Sequence, residues 1–285
     1  MRSYTESLFQ KMIFHVPMRQ DRCLFYKLNS KTHNVMLRTI SGDDVHCLLS
    51  CPCGSISTLQ SYVPTKQLII FLHGNSDDIS TCYAYAQWLA DSMNSNVLTV
   101  DYPGYGFSTG EDNTSDENML SAVSAVLKFA CENLKHNISS IVIYSKSLGT
   151  VPGIHLASLS EMKDLGGLVL ISPLASGVRC FLSSSLIPQQ ILNYLDRCFA
   201  PSIERISNVH CPIFIIHGTV DKVVPLANAH ALISAAPLGS YYDPLFLQGG
   251  HNDMEAIFKN LFITSVQSFC KFCDDKQQSS CPYDD

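Results

Sequence analysis

The pentapeptide Ser145-Lys146-Ser147-Leu148-Gly149 falls between a short apolar run and a segment of helical period. A serine on a sharp strand-to-helix turn holds its hydroxyl clear of a sheet, where it can attack a carbonyl carbon. The usual pattern has glycine two residues before and two after that serine, and here Ser145 replaces the first glycine. The register follows from sterics. If Ser145 were the nucleophile, the β-branched Ile143 would fill the tight position, so Ser147 is the expected nucleophile. A hydroxyl needs an adjacent base near neutral pH, and the base needs an orienting acid. His217-Gly218-Thr219-Val220-Asp221 and Gly249-Gly250-His251-Asn252-Asp253 each follow an apolar run. They put Asp221 and then His251 on loops at the carboxyl ends of strands, where open α/β sheets build their sites. Ser147, Asp221 and His251, in that chain order, point to acyl transfer through a covalent acyl-serine intermediate.

That chemistry also needs donors for the developing oxyanion. The amide of Leu148, just after the nucleophile, is the expected first donor. The backbone N–H of Asn75, in His73-Gly74-Asn75-Ser76, is the expected second. Asp101 precedes Ser147 and heads a turn, so it is expected to brace its own loop. Asp253 is expected to cap the final helix. His73 and His217 each precede a glycine and are expected to make structural hydrogen bonds.

The elements that must position these residues alternate between short apolar runs and helical segments, the signature of an α/β fold with a mostly parallel sheet flanked by helices. Val35–Thr39 and Val45–Leu49 predict a hairpin. Leu68–Leu72, Val97–Val100, Ser140–Tyr144, Gly167–Ile171, Pro212–Ile216 and Leu245–Leu247 predict strands. Helices are expected over Ser80–Met93, from a capping box at Thr114 and Glu117 to about Leu134, over Leu148–Ser160 and over Asp253–Phe272. Residues 172–211 are too long for a plain connection and predict a small lid with short helices. The domain plan is a short N-terminal segment (1–19), a single domain over 20–273 carrying that insertion, and a polar tail over 274–285.

Hydrophobic residues make up 46% of the 285-residue chain and charged residues 15%, enough apolar material for a sheet buried on both faces. A net charge of −6 without clustered lysine and arginine argues against nucleic acid as a partner. The N-terminus lacks the pattern of a secretory signal and no apolar run reaches the roughly 18 residues of a spanning helix, so a cytoplasmic, non-secreted protein is expected. Its twelve cysteines are then expected to stay reduced. Neither Cys51-Pro52-Cys53 nor Cys270-Lys271-Phe272-Cys273 has the partners of a zinc site, and no metal or cofactor is expected. Thr5, Leu8, Phe9, Met12, Ile13 and Val16 fall near one helical face with Arg2, Lys11 and Arg19 nearby. That face is expected either to pack on the domain or to meet anionic membranes weakly.

Leu68–Ser76, Asp101–Ser108, Tyr144–Pro152, Ser172–Gly177, Pro201–Ile206, Ile216–Asp221 and Gly249–Asp253 together resemble the α/β-hydrolase branch that includes the protein depalmitoylases. Ser147-Leu148-Gly149-Thr150-Val151-Pro152 is the most specific part, and the resemblance covers residues 10–270. It implies the α/β-hydrolase fold, a thioesterase that removes palmitate from cysteine side chains, and an acylated protein or acyl ester as the partner. The N-terminal cysteine cluster that is acylated in those relatives is missing here. The alternatives are a small-molecule carboxylesterase or lipase, a prolyl-oligopeptidase-like serine peptidase, and a hydrolase-shaped binding protein.

Overall fold

The computed structural model describes residues 31–52, 59–110, 114–177, 179 and 200–280. The expectations for residues 1–19, for most of the 172–211 insertion and for Cys53 lie outside them. The chain divides into two compact units after Lys135. No helix among the described residues is long and apolar enough to cross a membrane.

In the first unit the strand order is β1-β2-β4-β3. β1 (Thr32–Arg38) and β2 (Asp44–Ser50) form the expected antiparallel hairpin. β2 also pairs antiparallel with β4 (Asn96–Val100), which runs parallel to β3 (Leu68–Leu72). The wholly apolar β3 is buried along its length, whereas β1 alternates inward and outward as an edge strand with one wet face should. Helix α1 (Ile79–Met93) begins with a reciprocal cap between Asp78 and Thr81. Helix α2 (Asp116–Glu132) corrects the expected capping box. Ser115, in extended backbone, accepts the Asn118 amide, while Thr114 is buried and donates its hydroxyl to the Pro103 carbonyl. Thr114 is drawn away by a buried acceptor that would otherwise go unpaired.

A buried ionic knot ties this unit together around Asp101, which is fully enclosed after β4. Its Oδ1 accepts the Ile79 amide at 2.8 Å. His73 Nε2 stands 3.4 Å from Oδ1, within ion-pair reach but misaligned for a hydrogen bond, and His46 Nδ1 is 3.5 Å from Oδ2. His73 Nδ1 faces the Gly74 carbonyl at 2.9 Å. One ring nitrogen therefore faces a carbonyl and the other a carboxylate, and only the doubly protonated imidazolium suits both. Burial works against that charge, but Asp101 outweighs it and raises the His73 pKa. Burial likewise opposes the Asp101 charge, and the two histidines overcome it, holding the carboxyl at about 2. Position 106 must be glycine, because a Cβ there would fall 1.6 Å from Asp101 Oδ2. The Asp101 contribution is present above its ordinary value of 3.8 and is lost as pH falls toward 2. The His73 contribution is full below 6.5 and is lost as pH rises through the raised folded value. Asp101→Asn leaves a buried cation uncompensated, and a loss of about 3 kcal/mol at neutral pH is expected by chemical denaturation. The gap between variant and wild type should close as pH drops from 3.8 to about 2.

The second unit is all parallel, in the order β5-β6-β7-β8: Ile141–Lys146, Gly167–Ile171, Ile213–Gly218 and Leu245–Leu247. Helix α3 (Thr150–Ala157) follows β5 after one tight turn at Ser147–Gly149. Then come α4 (Ser202–Arg205), α5 (Ala227–Ala235), α6 (Met254–Ile257) and α7 (Lys259–Ser280). The helix expected over Asp253–Phe272 is two helices, broken at Phe258, and the second runs on to Ser280. Cys273 is buried and the Gln277 side chain donates to the Ser139 carbonyl, which anchors the extension.

Every cysteine among the described residues is a free thiol. Cys47, Cys51 and Cys82 are buried in the first unit, and Cys211, Cys270 and Cys273 in the second. Burial pushes the thiols of Cys211 and Cys270 up to about 12.

Candidate active site

In the second unit β5 and β6 end level with one another, and β7 runs two residues further, to Gly218. Lys146 of β5 pairs with Ile171 of β6, and Ile171 pairs with Ile216 of β7. The first residue past β5 is Ser147 and the first past β6 is Ser172. Both hold a left-handed backbone, with φ of 50° and 46°. For residues with a Cβ this is strained, by about 1–2 kcal/mol each. At Ser147 the kink turns the chain from strand into the helical run toward α3 and leaves the serine side chain at the strand tip. The Leu148 amide then stands in the first turn of that run, where the helix dipole favours negative charge.

Ser145 settles into the turn without displacing it. Its buried hydroxyl donates to the Val169 carbonyl at 2.9 Å. Gly153, one turn into α3, leaves room for it, since a Cβ there would be 3.1 Å from Ser145 Oγ. The hydroxyl that replaces the usual glycine is thus spent on the sheet.

The three residues expected to work together are brought together. His251 Nε2 is 3.0 Å from Ser147 Oγ, and His251 Nδ1 is 2.7 Å from Asp221 Oδ2. Asp221 Oδ1 accepts the amides of Val223 at 2.8 Å and Val224 at 2.9 Å. Partial burial would raise the Asp221 pKa, but the His251 hydrogen bond and the two amides reverse that and lower it. The carboxylate therefore stays charged through the neutral range, as an acid that orients a base must.

Two further side chains, not among those expected from the sequence, stand at this site. Ser172 donates its hydroxyl to Asp221 Oδ2 at 3.0 Å. Lys146, the residue before the nucleophile, pairs at 2.9 Å with Glu255 on α6, the helix that follows His251. Both ends of that ion pair are largely sheltered, at 15% and 12% exposure. It links the Ser147 turn to the His251 loop beside the Ser147–His251 contact.

His217, like His73, bonds the carbonyl of its following glycine through Nδ1, at 2.9 Å. The structural role expected of both therefore fits this geometry. Among the described residues no carboxylate meets His217 Nε2, and burial lowers its pKa, so it stays neutral close to His251. Asp253 differs from expectation: its carboxylate turns back to the Gly250 amide, in the His251 loop, rather than onto the helix it precedes. Asn75 lies in the first unit, on the loop after β3, where its side-chain oxygen accepts the Tyr105 hydroxyl at 2.7 Å. Tyr102 donates to the His73 carbonyl two residues earlier. Among the described residues no group of three or more His, Cys, Asp or Glu is placed to hold a metal ion.

Residues 63–202 match the family model described as Serine aminopeptidase, S33. The chain is similar to the Alpha/beta hydrolase domain-containing protein aho-3 of Caenorhabditis elegans, 35% identical over 66% of this chain and 53% of that protein. It is 32% identical to the Alpha/beta hydrolase domain-containing protein 17C of Mus musculus, over 67% of this chain and 56% of that protein. The 17B protein of Xenopus laevis is 31% identical over 77% of this chain and 69% of its own length. The chain thus spans about half the length of the first two relatives. Among solved structures, an esterase from Pyrococcus furiosus overlays with a TM-score of 0.67 at 17% identity, covering 90% of this chain and 98% of that one. Mouse Alpha/beta hydrolase domain-containing protein 10 overlays with 0.60 at 16% identity, covering 84% and 98%. At such identities the likeness speaks for the fold.

Proposed function

We propose, from the premise that this chain belongs to the α/β-hydrolase family, that it is a serine hydrolase that cleaves acyl esters and thioesters. One observation carries the reading. The Ser147 hydroxyl, raised at a strained strand tip, lies in line with His251 and with an Asp221 held ionised by its neighbours. In the first half-reaction Ser147 Oγ bonds to the acyl carbon as its proton passes to His251 Nε2, and the carbonyl electron pair moves onto oxygen, facing the Leu148 amide. Collapse breaks the bond to the leaving sulfur or oxygen, which takes the proton from His251. Water then attacks the acyl-Ser147, giving its proton to His251. A second collapse returns that proton to Ser147 Oγ and releases the acid.

The favoured substrate is the thioester between palmitate and a protein cysteine. Its support is the resemblance of the Ser147–Pro152 run and its companion motifs to the protein depalmitoylases. The serine-aminopeptidase match over residues 63–202 supports a second reading, hydrolysis of peptide bonds with the same residues. A panel of acyl thioesters, acyl esters and aminoacyl amides, each at matched concentration, separates the two. Turnover of long-chain thioesters and esters with amides inert is expected. Preferential turnover of aminoacyl amides would replace the first reading by the second.

A further inference from the structure

We propose that Ser172 is a positioning residue for hydrolysis, holding Asp221 in the rotation that His251 requires. This rests on the reading of Ser147, Asp221 and His251 given above. β6 lies between β5, which ends at the nucleophile, and β7, which leads to the acid. The tip of the middle strand therefore lets a short side chain reach the acid from the nucleophile's side. Ser172 occupies that tip, fully buried.

The backbone there is unfavourable for serine on two counts. Its φ of 46° belongs to the region where glycine is at ease, and the next residue, Pro173, steers its predecessor toward extended backbone. A side chain kept at such a position needs a task, and this hydroxyl has one: it donates to Asp221 Oδ2, the oxygen that also receives His251 Nδ1. The other oxygen is fixed by the Val223 and Val224 amides. With those two amides alone the carboxylate could swing about its held oxygen and carry the imidazole with it; a third donor on Oδ2 stops the swing. A neutral hydroxyl does so while leaving in place the negative charge that the imidazolium needs, which a lysine or arginine would cancel. The turn itself is secured to the nucleophile's own frame. The Ser172 amide donates to the Ile216 carbonyl at 2.9 Å and the Leu174 amide to Thr150 Oγ1 at 3.2 Å, and that hydroxyl donates to the Ser147 carbonyl at 2.6 Å.

Ser172→Gly removes the hydroxyl and also relieves the backbone, so a purely structural serine and a positioning serine give opposite results. With a p-nitrophenyl acyl ester as probe, kcat should fall ten- to a hundred-fold with KM unchanged, while the melting temperature holds or rises. Ser172→Ala, which keeps the Cβ, should lose as much kcat. In an Asp221→Ala background, Ser172→Gly should cost nothing further, because its whole effect passes through Asp221. The proposal is overturned if kcat of Ser172→Gly stays within two-fold of wild type, if it falls only with the folded fraction, or if the loss persists without Asp221. Failure of the underlying reading looks different, since Asp221→Ala would then leave turnover untouched before Ser172 is altered at all.

Discussion

Ser147→Ala is expected to lower kcat on acyl esters by on the order of a million-fold, the loss seen when a nucleophile of this kind is deleted. Folding should survive, because alanine keeps the Cβ at φ 50° and the hydroxyl bonds His251 Nε2 across the site rather than packing into the core. Labelling by a fluorophosphonate, read by peptide mass spectrometry, should fall on Ser147 and vanish in the variant. Ser145 cannot stand in for it, being fully enclosed with its hydroxyl committed to Val169. Residual turnover near wild type, or label on Ser145, would remove the nucleophile from the scheme.

For Asp221→Asn the structure specifies how the damage arises. The Val223 and Val224 amides need an acceptor, so the asparagine oxygen must take the Oδ1 position. Its NH2 group is then forced to the Oδ2 position, opposite His251 Nδ1. An amide donor there leaves His251 Nδ1 as acceptor and moves the ring proton to Nε2, which can no longer take the proton of Ser147. A fall in kcat of about ten-thousand-fold with little change in KM is expected. Steady-state kinetics beside the Asp101→Asn variant tests the choice of acid. If the Asp101 variant lost turnover while properly folded and the Asp221 variant did not, the acid would be misassigned.

The sequence could be read where one residue type meets one strong constraint. Ser147, Asp221 and His251 each follow an apolar run in a fixed order, and apolar runs such as Leu68–Leu72 and Gly167–Ile171 became strands with those bounds. Ser172 was invisible for a physical reason. Its importance lies in the order of strands in the sheet, which puts β6 between β5 and β7, and strand order is not written locally in any segment. A polar residue directly past a buried strand was the one available signal. The Lys146–Glu255 pair was hidden likewise, joining residues 109 positions apart. Thr114 and Ser115 show the limit of local rules: both suit an N-cap, and only the buried Pro103 carbonyl decided between them. The final helix outran its expected end because contacts with distant residues hold its polar extension, and periodicity within the segment cannot register those.

The enclosed thiols give this protein a stopwatch for each of its two halves. A thiol reacts as the thiolate, and burial that pushes Cys211 and Cys270 up to about 12 leaves almost none of it in the closed state. Alkylation of those cysteines must therefore wait for the second half to open, and alkylation of Cys47 and Cys82, whose thiols are raised as well, for the first. The unlabelled fraction at each cysteine, followed over time in one sample, would clock the opening of the two halves separately, with no dye, tag or substitution added.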